Sequence, residues 1–174
     1  MYYNQELVEY IKAAYTAIYQ INVQSVIDEI QKLSPYSEKI TPYIRNVEEL
    51  QKYLELNLKE GFITRPTLLI DIDINYRVNG GLTNLEKMLK GSPPYDYRTG
   101  QVIELHHIGQ HYDSPFAELP QLIHGGTGMF GIFHNLQIES WRVNKDCVIK
   151  TQNETSQYWI KRGEQLYEIS AKRD

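Results

Sequence analysis

Every histidine of this 174-residue chain lies between His106 and His134, and that window constrains the architecture more than any other feature. Two of the five, His106 and His107, are adjacent and close an apolar segment, Gln101 to Ile108, that reads as a strand. Neighbouring side chains on a strand point to opposite faces. One imidazole can therefore bind a metal while the other serves a different space. A polar loop with His111 follows, then a return strand from Phe116 to Leu119. Pro120 opens a helix that carries His124 and stops at Gly125-Gly126. A glycine-interrupted loop leads to Phe133-His134. Strand, loop, return strand and helix each carry or flank a histidine, so the chemistry is expected between residues 100 and 145.

The rest of the chain reads mainly as packing elements. Leu7, Ile11, Ala14, Tyr15 and Ile18, then Val26, Ile27, Ile30 and Leu33, recur at helical spacing. Asn22 and Ser25 are expected to break them into two helices, the second ending at Ser34-Pro35. Asn46 with Glu49 resembles a capping box and opens a third helix to about Lys59, stopped by Gly61. From Thr67 to Asn75 the period changes to two: Leu68, Ile70, Ile72 and Ile74 alternate with Leu69, Asp71 and Asp73. That is a half-exposed strand with a solvated acidic face. Asn79-Gly80-Gly81 is a turn, and Thr83 with Glu86 caps a short helix to Lys90. A helical extension over residues 1–78, with one strand, and an active region over 79–174 are expected.

Composition excludes several classes. A single cysteine, Cys147, rules out a disulfide framework and a cysteine-based zinc knuckle, and a buried, inert thiol is expected. The opening Met1 to Glu6 lacks a basic region followed by an apolar one, so no Sec-type signal is expected, and no apolar run approaches a membrane span. A cytoplasmic protein, or one delivered into a target cell by another route, fits. The net charge of −4 argues against a nucleic-acid coat protein. A bound metal could still supply a local positive field.

Gly91 to Pro94, Leu105-His106-His107-Ile108-Gly109-Gln110, Ser114-Pro115, Glu118-Leu119, His124, Phe133-His134 and a trailing Tyr158-Trp159 occur in order. Over residues 83–162 this run resembles the LHH family of the HNH/endonuclease VII nucleases, a branch of the His-Me (ββα-metal) superfamily. Two positions depart from the pattern: Phe133 stands where leucine normally precedes the terminal histidine, and His111 is extra. An exposed loop residue is the reading for His111.

The resemblance implies an α+β protein with a helical amino-terminal region followed by a ββα-metal nuclease domain. It implies metal-dependent hydrolysis of nucleic-acid phosphodiester bonds, DNA before RNA. A neutral imidazole, with an ordinary pKa of about 6.5, can take a proton from water. His107 is the candidate general base, and His106, His124 and His134 are the candidate ligands of one divalent metal. Three nitrogen donors put zinc first, with magnesium, manganese or nickel as alternatives. Glu118 is expected to orient His107 or brace the loop, while Arg98 and Arg142 could clamp a phosphate. Gln110 is a candidate substrate contact, and Trp141 and Trp159 could stack on bases.

By resemblance the chain is an antibacterial toxin nuclease with a cognate immunity protein. A nuclease effector of an anti-phage or restriction system shares the chemistry. A reading of another class is a non-catalytic binding module stapled by zinc through four histidines. A homodimer through residues 1–60, or docking of a carrier there, is a further expectation from amphipathicity.

Overall fold

The computed structural model describes Ala13 and residues 22–134 and 140–172. The apolar positions expected before residue 20 lie outside those residues, as does about a third of the region, residues 1–60, suggested for dimerisation. Helix α1 is described over residues 22–33 and runs unbroken through Ser25, so Ser25 lies within a helix and does not cap one. The chain just before Asn22, where the first of the two expected helices would end, lies outside the described residues. Neither residue is a helix breaker of the glycine or proline kind. Of its apolar positions only Ile30 is buried, and Leu33 is half exposed to solvent.

Asn46 caps α2 (Val47–Glu55) by accepting from the Glu49 N–H at 2.7 Å. The helix stops at Leu56-Asn57, well short of Lys59, because Asn57 adopts φ +54°. Lys59 and Gly61 belong instead to β1 (Lys59–Phe62), which turns back into β2 (Pro66–Leu69). The amino-terminal half thus contributes two strands, not one.

The alternation over 67–75 predicts burial correctly: Leu68, Ile70 and Ile72 are buried, and Asp71 and Asp73 are exposed. The ladder nevertheless ends at Leu69. Beyond it the Ile70 N–H donates to the Glu118 carboxylate at 2.8 Å, and the Ile70 carbonyl accepts from Arg162 at 3.0 Å. Side chains have replaced the neighbouring strand.

Thr83 and Glu86 form the full capping box of α3 (Asn84–Leu89). β3 (Ile103–His107) and β4 (Phe116–Pro120) pair antiparallel, with His107 opposite Phe116 and His106 opposite Ala117. Pro120 closes β4 and caps the short α4 (Gln121–Gly125) rather than sitting inside it. β3, β4 and α4 therefore run in the ββα order of an α+β fold. The four-stranded sheet has the order β1-β2-β4-β3, with β2 parallel to β4. It joins strands from both sides of residue 78. β4 is inner and wholly buried, whereas β3 is an edge strand.

α5 (Phe130–Phe133) follows α4, and α6 (Lys145–Ala171) closes the chain with 27 residues. Tyr158 and Trp159 of α6 are 0% and 1% exposed, so Trp159 is core and not a base-stacking surface. Each contributes on the order of 1.5–3 kcal/mol by burial. Gly163 lets α6 approach α3 closely, since a Cβ there would lie 3.0 Å from the Met88 Cβ. Cys147 on α6 is half-buried, less enclosed than its composition suggested. No helix among the described residues is long and apolar enough to cross a membrane.

Candidate metal centre and catalytic face

Strand geometry divides the adjacent histidines. His106 leaves β3 on the face covered by α2, α4 and α5, where its ring meets Phe133 edge-on at 5.3 Å between centroids. His107 leaves on the opposite face, with its ring against Phe116 at 4.7 Å and Trp141 at 5.0 Å. Because β3 is an edge strand, both still reach one small cavity. Its walls also include Gln110, His124, His134, Ser140, Trp141 and Arg142. The cavity, about 30 Å³, has room for a water-sized occupant.

His124 reaches His106 from the last turn of α4, and His134 arrives as the residue that caps α5. One potential ligand atom from each of the three histidines lies within 4.8 Å of the others. The far nitrogens are engaged elsewhere. His124 Nδ1 lies 2.8 Å from the Glu104 carboxylate, and His134 Nδ1 lies 3.2 Å from the Phe130 carbonyl. Both acceptors require an N–H, which leaves lone pairs on His124 Nε2 and His134 Nε2.

His106 Nδ1 sits 3.1 Å from His124 Nε2, while His106 Nε2 is buried 3.5 Å from Glu49 Oε1. With a proton on His106 Nε2, two lone pairs face each other at that distance, an arrangement a cation would relieve. Metal-bound imidazoles commonly present their other N–H to a carboxylate or carbonyl. The donor set and its outer partners fit a divalent cation.

Burial pushes His124 down to about 3, with the neighbouring His106 adding to it, and burial also lowers His134. Neutral imidazoles are what a cation needs as ligands. His107 is pushed down to about 3 as well, by burial first and then by the positive field of Arg65. Its Nε2 is buried and makes no hydrogen bond with the described residues.

The remaining sequence candidates separate. Arg142 is exposed on the cavity wall, its guanidinium 4.8 Å from the Trp141 ring centre. Gln110 also lines the cavity and accepts from Arg45. Glu118 is not brought to the histidines. Its carboxylate is fully buried and accepts from Tyr158 at 2.6 Å, Arg162 at 3.0 Å and Ile70 N. With three partners of its own, and with Phe116 and Trp141 against the His107 ring, it braces the sheet against α6 and does not orient His107. Arg98 is not brought there either; it pairs with Asp96 at 2.8 Å in a separate groove that includes Glu55, Thr99 and Leu122. His111 is exposed and paired with Asp113, away from the triad. The exposed Asp71 and Asp73 form no metal cluster among the described residues.

Sequence reasoning missed Glu49 and Arg45. Glu49 was read only as the partner of Asn46 in a capping box. In place it is fully buried, accepting from the Arg45 N–H at 3.0 Å and from the Tyr53 hydroxyl at 2.6 Å. Arg45 donates to the Phe133 carbonyl, and the Asn46 amide donates to the Ile132 carbonyl at 3.0 Å. α2 thus holds the segment that presents His134. The enclosure of Glu49 follows from how α2 packs, and its capping-box reading gave no signal of it.

Residues 83–165 match the model of the LHH family, described as a nuclease of the HNH/ENDO VII superfamily with conserved LHH. The one Leu-His-His of the chain, Leu105 to His107, falls inside that stretch. No solved structure matches the chain with significance.

Proposed function

Residues 83–165 belong to the LHH family of HNH/ENDO VII superfamily nucleases, and from that premise we propose that the chain is a metal-dependent endonuclease with DNA as its favoured substrate. The observation that carries the reading is the 3.1 Å approach of His106 Nδ1 to His124 Nε2, with the outer nitrogen of His124 given to Glu104 and that of His106 turned toward Glu49. His106, His124 and His134 would hold one divalent cation, zinc first and magnesium, manganese or nickel as alternatives. When bound, the cation neutralises charge on the phosphate and on the departing 3′ oxygen.

His107 serves as general base, taking a proton from water at Nε2, a ring atom that makes no hydrogen bond with the described residues. The exposed Arg142 guanidinium is suited to a phosphate oxygen, and Gln110 lines the same cavity. We assign Glu118 and Arg98 no part in the chemistry. The zinc-staple reading needs His111 as its fourth ligand, and His111 is committed to Asp113. Three ligands leave a coordination position open, which supports catalysis.

The biological setting we propose is an antibacterial toxin countered by an immunity protein, on the strength of the family resemblance. The test is incubation of the purified chain with plasmid and with total RNA across several divalent cations, with a chelator control. Cleavage that needs a divalent cation and that His107→Ala abolishes is the expected result. No cleavage of either substrate under any cation would overturn the reading.

A further inference from the structure

We propose that Glu49 is a positioning residue of the metal centre, supplied by α2 from outside the family-matching segment. It holds the His106 proton on Nε2 and so presents the Nδ1 lone pair to the face shared with His124 and His134. The inference rests on the metal-centre reading and deepens it. Glu49 Oε1 lies 3.5 Å from His106 Nε2, and both residues are buried, at 0% and 2% exposure. His106 Nε2 makes no hydrogen bond with the described residues, and the Glu49 carboxylate, at ion-pair distance, is the acceptor it faces.

The carboxylate itself is locked. Tyr53 donates to Oε1 at 2.6 Å, the Arg45 N–H donates to Oε2 at 3.0 Å, and Arg45 Nε lies 4.0 Å from Oε2. Its direction is therefore set before any metal arrives. Without this acceptor the imidazole would do better as the other tautomer, donating from Nδ1 to His124 Nε2 at 3.1 Å. That hydrogen bond would place a proton where a ligand lone pair is required.

Glu49→Gln preserves shape and reverses the tautomer preference. The Arg45 N–H keeps the amide oxygen, so the amide NH2 faces Tyr53 and His106 and calls for an acceptor at Nε2. Long-range proton–nitrogen correlation spectra of the metal-free full chain should show His106 protonated at Nε2 in the native protein. In the variant the proton should move to Nδ1. Cobalt(II) affinity, followed by visible absorption, should fall about 10- to 100-fold.

Native His106 protonated at Nδ1, an unchanged tautomer in the variant, or an unchanged cobalt affinity each overturns the proposal. Should the variant fail to fold, the native tautomer alone decides. Failure of the underlying metal-centre reading looks different: the native chain would not bind cobalt, or would bind it equally after His124→Ala.

Discussion

His106 and His107 occupy successive positions on β3, and their environments assign them different work. His107→Ala is expected to lower cleavage by about 10²- to 10⁴-fold, the range for loss of a general base, while cobalt binding persists. His124→Ala is expected to lose both, because its Nε2 stands beside His106 Nδ1. Equal metal loss in the two variants, measured by equilibrium dialysis, would remove this division. The imidazoles were legible in the sequence because they are few and clustered. Glu118 was legible as a residue worth noticing but not in its role, since its partners come from residues 70, 158 and 162. Glu118→Ala would strand the buried Arg162 guanidinium, and removing one partner of such a pair costs about 3–5 kcal/mol. Urea unfolding should report that loss. Glu118→Gln should be milder, because an amide can still accept from Arg162 or Tyr158.

At the level of elements, local signals read well and nonlocal ones poorly. The capping box of α3 was readable because Thr83 and Glu86 need only each other. Thr83→Ala removes the hydroxyl that accepts from the Glu86 N–H and should cost roughly 1 kcal/mol, with cleavage unchanged because α3 packs on α6 away from the histidines. The Thr83 backbone N–H, with its hydroxyl, holds the Glu86 carboxyl below the usual range. A depressed folded-state value means the contribution is present above the ordinary carboxylate pKa and lost as pH falls through the lowered one. The difference between Thr83→Ala and the native chain should accordingly shrink in acid, as followed by denaturation midpoints from pH 7 downward. The alternation from Thr67 onward predicted burial but overran the ladder, because pairing stops where side chains of β4 and α6 take over. α6 escaped notice because its buried residues, Tyr158, Trp159, Arg162 and Gly163, crowd one part of a 27-residue helix. No continuous apolar stripe announces it.

At the scale of the whole molecule, the segment that matches the LHH family does not contain everything its site and sheet depend on. β4 is an inner strand only because β2 lies beside it, with Thr67 opposite Phe116 and Leu68 opposite Ala117. Glu118 is satisfied partly by Ile70, and Arg65 reaches Glu154 at 2.7 Å and the Ser114 carbonyl at 2.7 Å. From α2 and the two residues before it, Glu49, Arg45 and Asn46 attend His106 and the residues before His134. A chain cut to residues 79–174 would expose both the β4 edge and the apolar face under α2. It would also leave the Glu118 and Arg162 groups short of partners, and each buried polar group so stranded costs about 1–3 kcal/mol. Against the marginal stability of a small domain, on the order of 5–15 kcal/mol, several such losses together are decisive. The fragment should therefore show no cooperative thermal transition by circular dichroism and no histidine-dependent cobalt binding, whereas the full chain shows both. A fragment that melts cooperatively and binds cobalt with native affinity would mean that residues 1–78 are an appendage to a self-sufficient domain, and Glu49 would lose its place in the site.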